Sequence, residues 1–238
     1  MTTFGLVHGA WHGAWCWERL TPELERLGHH VVTVELPCDE PTATFTTYAD
    51  VVVDALRSEP ADLVLVAHSL AGLSAPIAAA QLPVSGLVFL CALIASPGRS
   101  LVDQLQDEPE MLIPGYDAGL GEPDEQGRQR WTDFDAARFA FYEDCDLATA
   151  KAAVDRLRPQ AQAPVLEPCP LPALPDIRYA YVVGTEDRIV SPAWSRRAAT
   201  ARLGVEPIEL EGSHSPFYSR PAELAEVLHS FGAGRRTT

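Results

Sequence analysis

Three stretches of the chain are apolar at almost every position: Asp62–His68 (DLVLVAH), Gly86–Leu93 (GLVFLCAL) and Ile177–Gly184 (IRYAYVVG). A strand with one wet face alternates apolar and polar residues. A run without alternation has both faces covered, which is the mark of a parallel sheet between two helical layers. Thr2–His8 (TTFGLVH) and the β-branched His30–Leu36 (HVVTVEL) add two short runs, and Val205–Leu210 (VEPIEL) adds a weaker one. Helical patterns lie between them: WCWERLTPELERLG, TTYADVVVDALRS, GLSAPIAAAQL, SPAWSRRAATARLG and RPAELAEVLHSFG. Several end at glycine, as helices often do. This alternation predicts a three-layer α/β sandwich with a mostly parallel sheet of about six strands. With 238 residues the chain suits one large domain that can bury a substantial core.

The alternation breaks between Ser96 and Pro175, where no strand is evident. Proline and glycine are frequent up to Gly127. DFDAARFAFYEDC and LATAKAAVDRLRPQ then read as helices, and APVLEPCPLPALP as extended chain. An insertion between two core strands is most simply a helical cap, because ligands of open α/β sheets bind outside the carboxyl ends of strands. The alternative is a solvent-facing elaboration without functional consequence.

The chain carries a net charge of −15. That sign argues against nucleic acid or an anionic membrane as partner. Five scattered cysteines (Cys16, Cys38, Cys91, Cys145, Cys169) form an odd set with no CxxC pair, which reads as reduced thiols in the cytoplasm. The opening MTTFGLVHGAWHGAW has no basic segment followed by an apolar one, so no signal peptide is expected. No apolar run is long enough to span a bilayer.

The most informative site signal is Ser69. It closes an apolar strand and precedes a helix in AHSLAG, with Ala67 and Ala71 two residues away on either side. A nucleophile elbow turns so sharply there that small neighbours are required, usually glycines in G-x-S-x-G. The alternative is an ordinary helix N-cap. A serine nucleophile needs a base and an acid to orient it, following it in the chain as Asp or Glu and then His. Only His214 and His229 follow Ser69. His229 sits inside a helical pattern, whereas His214 lies in the small-residue loop LEGSHSPF after the last strand. For the acid, Glu186 and Asp187 both fall in the turn after Tyr179–Val183. A histidine base must be neutral to accept a proton, so activity should fall in acid.

Acyl transfer also needs N–H donors for the developing oxyanion: one from the residue after the nucleophile and one from the loop after an early strand. Those positions are Leu70 and Ala10, the latter in HGAWHGAW. His8 and His12 in that loop raise the question of a metal, but no carboxylate or cysteine stands at ligand spacing, so none is expected.

Together HGAWHGAWCWERL, AHSLAG, GTEDRIVSP and GSHSP resemble the α/β-hydrolase superfamily, and within it the methylesterase and hydroxynitrile lyase branch with its small bacterial esterases. The resemblance follows the whole chain in element order. It implies an α/β-hydrolase core over residues 1–95 and 176–238, with a helical cap over 96–175 inserted after the fourth strand. It further implies Ser69 as nucleophile, Asp187 as acid, His214 as base, Ala10 and Leu70 as oxyanion donors, a small-molecule ester as substrate, and no cofactor. Cyanohydrin-cleaving members usually carry threonine after the first loop histidine and lysine after the catalytic one. Here those positions are Gly9 and Ser215, which resembles the esterase side.

Trp131, Phe134, Phe139, Phe141 and Tyr142 gather aromatics in the insertion, where they could line an acyl pocket or form the cap's own core. Gly9, Trp131, Phe139 and Tyr142 stand as the substrate-facing candidates. Two other functions share this fold: a non-hydrolytic lyase or cyclase of secondary metabolism, and a ligand-binding receptor.

Overall fold

The structure is a computed structural model that describes residues 1–59 and 62–234. The last four residues of the expected core, 235–238, lie outside the described residues. In chain order the strands are β1 (Thr3–Val7), β2 (His30–Val34), β3 (Leu63–His68), β4 (Val84–Leu90), β5 (Arg128–Gln129), β6 (Gln160–Ala161), β7 (Arg178–Gly184) and β8 (Ile208–Leu210). The helices are α1 (Leu20–Arg26), α2 (Phe45–Leu56), α3 (Ala75–Ala79), α4 (Leu101–Asp107), α5 (Phe134–Phe141), α6 (Leu147–Val154), α7 (Pro192–Ala198), α8 (Pro216–Ser219) and α9 (Pro221–Ala233).

Six strands form one sheet in the order β2-β1-β3-β4-β7-β8, and every pairing in it is parallel. The predicted parallel sheet of about six strands is therefore present. Every residue of β3 is buried, as is every residue of β1. That explains the missing alternation: helices cover both faces, so apolar residues fill both register positions rather than one. Because the strands are parallel, their carboxyl ends share one edge. The loops after β1, β3, β7 and β8 are thereby gathered at that edge.

Between β4 and β7 lie α4, α5, α6 and one feature the sequence does not announce. β5 and β6 pair antiparallel through Arg128↔Ala161 and Gln129↔Gln160. Strands of two residues are too short to show a period of two. The long helical pattern after β7 is also interrupted. After α7 the chain loosens into a π-helical stretch, Ala199–Leu203, which stops at Gly204 in the left-handed conformation (φ 66°).

All five cysteines are buried and free. Among the described residues, no helix is long and apolar enough to cross a membrane.

Gly72 shows why the chain after Ser69 must be small. A Cβ there would overlap the Leu93 carbonyl oxygen and lie 3.2 Å from the Ala92 Cβ. The same Leu93 donates its N–H to the Ser69 carbonyl at 3.1 Å, so the two segments cannot separate without losing that bond. Gly72→Ala should therefore lower unfolding free energy by at least about 3 kcal/mol, the upper range for overpacking. Urea denaturation would measure it, and an unchanged midpoint would refute the close approach.

Candidate active site

Ser69 opens a short 3-10 turn, Ser69–Leu73, directly after β3. Its φ is +54°, a left-handed conformation that a non-glycine residue adopts only when its surroundings enforce it. His68, and not Ser69, is the cap residue of this turn, so the N-cap alternative does not describe the serine. Leu70 follows in the first turn, where leading N–H groups have no intrahelical acceptor. Ala67 and Ala71, the small neighbours, are fully buried.

His214 and Asp187 meet across the edge of the sheet. The His214 Nδ1–H donates to Asp187 Oδ2 at 2.8 Å, and both side chains are buried. Asp187 Oδ1 accepts from the N–H groups of Ile189 (2.8 Å) and Val190 (3.0 Å). Both carboxylate oxygens are thus engaged. Glu186 is exposed, and its backbone N–H, not its carboxylate, meets the His214 loop, at the Gly212 carbonyl (2.9 Å). His214 Nε2 is buried and has no hydrogen-bond partner among the described residues, which leaves its lone pair open to a proton donor. No hydrogen bond joins it to Ser69 Oγ in this conformation. His229 lies elsewhere, accepting at Nδ1 from His29 Nε2–H at 2.9 Å.

Two residues outside it, His68 and Asp144, hold the His214 loop. His68, fully buried, donates Nε2–H to the His214 carbonyl at 3.0 Å. This ties the residue before Ser69 to His214 directly. Burial, then the neighbouring His214 and His12 rings, push the His68 pKa well below the ordinary histidine range, so it stays neutral. Asp144, from the insertion, accepts the Ser213 N–H at 3.0 Å and also the Ser213 hydroxyl. Two of these three contacts have no sequence signature, because they end on backbone atoms.

The loop after β1, which begins at His8 and runs on through His12, brings Gly9, Ala10 and Trp11 beside Ser69. A Cβ on Gly9 would lie 2.7 Å from Ser69 Cβ, so a threonine at position 9 does not fit this arrangement. The Ala10 N–H has no acceptor among the described residues. His8 and His12 make no metal cluster with other donors; among the described residues no group of three or more ligands occurs. Instead burial lowers their pKa values to about 4 and about 3 respectively, and each spends both nitrogens on hydrogen bonds.

A cavity of about 130 Å³ opens onto Ser69, Ala10 and Leu70. Leu93, Leu101, Leu112, Leu120, Val165, Ile189 and Val190 make it mainly apolar, and Trp11 closes one side. Gln129, Gln160 and Gln162 form a polar wall that the sequence does not betray, since glutamine reads as a surface residue. The substrate-facing candidates fall differently. Gly9 abuts Ser69 without lining the cavity. Trp131 packs edge-on against Trp11 (5.7 Å) and Phe141 (5.1 Å), behind the cavity wall. Tyr142 is fully buried with its hydroxyl on His12. Phe139 is 51 % exposed beneath the Arg188 guanidinium. Most of these aromatics thus serve packing inside and beneath the insertion.

The comparisons agree with the geometry. The chain is 28 % identical to methylesterase 7 of Arabidopsis thaliana over 94 % of each chain. It is also 28 % identical to the pyrethroid hydrolase of Sphingobium wenxiniae, over 97 % of this chain and 88 % of that one. The solved structure of a pyrethroid hydrolase from Sphingobium faniae JZ-2 superposes with a TM-score of 0.80 at 25 % identity, covering 97 % of both chains. The model of the alpha/beta hydrolase family matches residues 6–227, nearly the entire length, and the chain belongs to that family.

Proposed function

We propose that the chain hydrolyses a small carboxylic ester through an acyl-enzyme on Ser69. The observation that carries this is the buried His214–Asp187 pair with an unpartnered Nε2, tied by His68 to the strained turn of Ser69. His214 takes the Ser69 proton as Oγ attacks the ester carbonyl. The Ala10 and Leu70 N–H groups receive the oxyanion. His214 then protonates the leaving alkoxide, and water repeats the sequence on the acyl-enzyme. Asp187 fixes the tautomer with the proton on Nδ1. No step calls on a metal or an organic cofactor.

Residues 96–175 act as the cap. Leu101, Leu112, Tyr116, Leu120, Gln129, Gln160 and Val165, all from this segment, close the cavity over Ser69. At about 130 Å³ the space suits a short alkyl or single-ring group; an engineered cavity of similar size admits benzene. Of the relatives' names, methylesterase denotes ester cleavage and pyrethroid hydrolase denotes hydrolysis, and an ester with one small apolar side fits here. A cyanohydrin lyase would need a cation at the departing cyanide. Lys151, the chain's one lysine, is exposed on α6 and paired with Asp155 at 3.1 Å, and Ser215 follows His214. Five free thiols suit a reducing compartment, and we place the protein in the cytoplasm.

A fluorophosphonate probe tests the nucleophile directly. One phosphonyl group should attach to Ser69 and be located there by peptide mass spectrometry. Labelling of a different serine, or none on folded protein, would refute the assignment.

A further inference from the structure

We propose that His8 and His12 are positioning residues that aim the Ala10 N–H at the oxyanion, by clamping the two carbonyls on either side of Ala10. The inference rests on the acyl-enzyme reading above and assigns two buried histidines that its mechanism does not use.

The geometry starts from peptide planarity. The Gly9 carbonyl and the Ala10 N–H belong to one rigid plane and point in opposite directions. Holding the oxygen therefore sets the direction of the hydrogen. His8 Nδ1–H donates to the Gly9 oxygen at 2.8 Å. His12 Nδ1–H donates to the Ala10 oxygen at 2.8 Å, which pins the next plane. The plane after that is pinned too, because the Trp11 oxygen accepts the Arg158 N–H at 2.6 Å. Three successive carbonyls are thus each held by a hydrogen bond.

Each imidazole is itself fixed. His8 Nε2 accepts the Leu36 N–H at 2.9 Å, and His12 Nε2 accepts the Tyr142 hydroxyl at 2.7 Å. An acceptor role at Nε2 leaves the proton on Nδ1 in both rings. Both rings are fully buried, so no solvent competes for these bonds. A hydrogen bond to the carbonyl also polarises the peptide and strengthens its N–H as a donor.

The clamp has a reason to exist. Gly9 restrains the plane weakly, and Trp11 sits at φ +61°, a conformation a bulky residue leaves when it can. Without the two imidazoles the Gly9–Ala10 peptide can turn over. It would then present a carbonyl oxygen where the oxyanion forms. Tyr142 belongs to the segment over the cavity, so its hydroxyl links that segment to the donor loop through His12.

Steady-state kinetics on p-nitrophenyl acetate, with a trifluoromethyl ketone as inhibitor, tests this. The ketone adds to a serine as a hemiketal whose oxyanion occupies the donor site. His8→Leu and His12→Leu should lower kcat about 10- to 100-fold, part of the 10²–10³ for losing a donor outright, with KM within about twofold. The ketone should weaken by the same factor. His8→Asn and His12→Asn, whose amide N–H falls near the place of Nδ1–H, should recover most of both. Tyr142→Phe should lose about 3- to 10-fold in kcat, one neutral hydrogen bond. Should the leucine variants fail to fold, the asparagine and phenylalanine variants still decide: activity and ketone affinity that do not follow the hydrogen bonds overturn the clamp. Folded leucine variants with full kcat, or with a raised KM alone, also overturn it. A wild-type protein that neither turns over the ester nor binds the ketone removes the acyl-enzyme reading first, and the clamp with it.

Discussion

Ser69→Ala should abolish hydrolysis of short p-nitrophenyl esters, lowering kcat by about 10⁶ while the protein stays folded. The size follows from the mechanism. Without Oγ there is no acyl-enzyme, and His214 and Asp187 have no proton to move. What persists is polarisation of the carbonyl by Ala10 and Leu70, which retains about 10³–10⁴ over water. Folding should be nearly unaffected. Ser69 is buried and its Oγ makes no hydrogen bond to another described residue, so alanine leaves no partner unsatisfied. The strain at φ +54° is the same for both side chains, and Gly72 still allows the close approach to Leu93. Initial rates and thermal melts on paired preparations measure both halves of this expectation. Turnover unchanged in the variant would sink Ser69 as nucleophile.

The strands of this fold were legible because burial on both faces erases alternation. β3, β4 and β7 are continuous apolar runs for that reason. Ser69 was legible because a sharp turn excludes bulk, and Ala67, Ala71 and Gly72 record that exclusion. Other features left no trace, each for a physical cause. Adjacent carboxylates in a turn are equivalent by spacing, so Glu186 and Asp187 differ only in three dimensions, where one is exposed and the other meets His214. Histidines that hold backbone carbonyls, as His8, His12 and His68 do, have partners with no side-chain identity to read. An aromatic cluster looks the same in sequence whether it faces a cavity or packs beneath one. Phe139 under Arg188 and Tyr142 on His12 show the difference only when folded. The ribbon of β5 and β6, which brings Gln129 and Gln160 to the cavity, is too short for any periodicity.

Asp187→Asn should lower kcat by about 10⁴, whereas Glu186→Gln should change it less than twofold. The asymmetry comes from how the carboxylate is spent. Oδ1 accepts two N–H groups, from Ile189 and Val190, and Oδ2 accepts the His214 Nδ1–H. An asparagine has one acceptor atom for these three donors. If its oxygen keeps the two backbone N–H groups, its amide hydrogens face Nδ1. The imidazole then moves its proton to Nε2, so that Nδ1 can accept. Nε2 now carries a hydrogen toward Ser69 and cannot take one away. If the amide is reversed, two backbone donors meet an NH₂ group in a buried site, which costs more. The first arrangement wins, and it preserves the structure while disabling the base. Glu186 is exposed and touches neither ring nor serine, so its amide loses only surface charge. Initial rates for the two variants, with circular dichroism to confirm folding, separate the adjacent carboxylates. A large loss in Glu186→Gln with full activity in Asp187→Asn would reverse the assignment and demand a different orientation of His214.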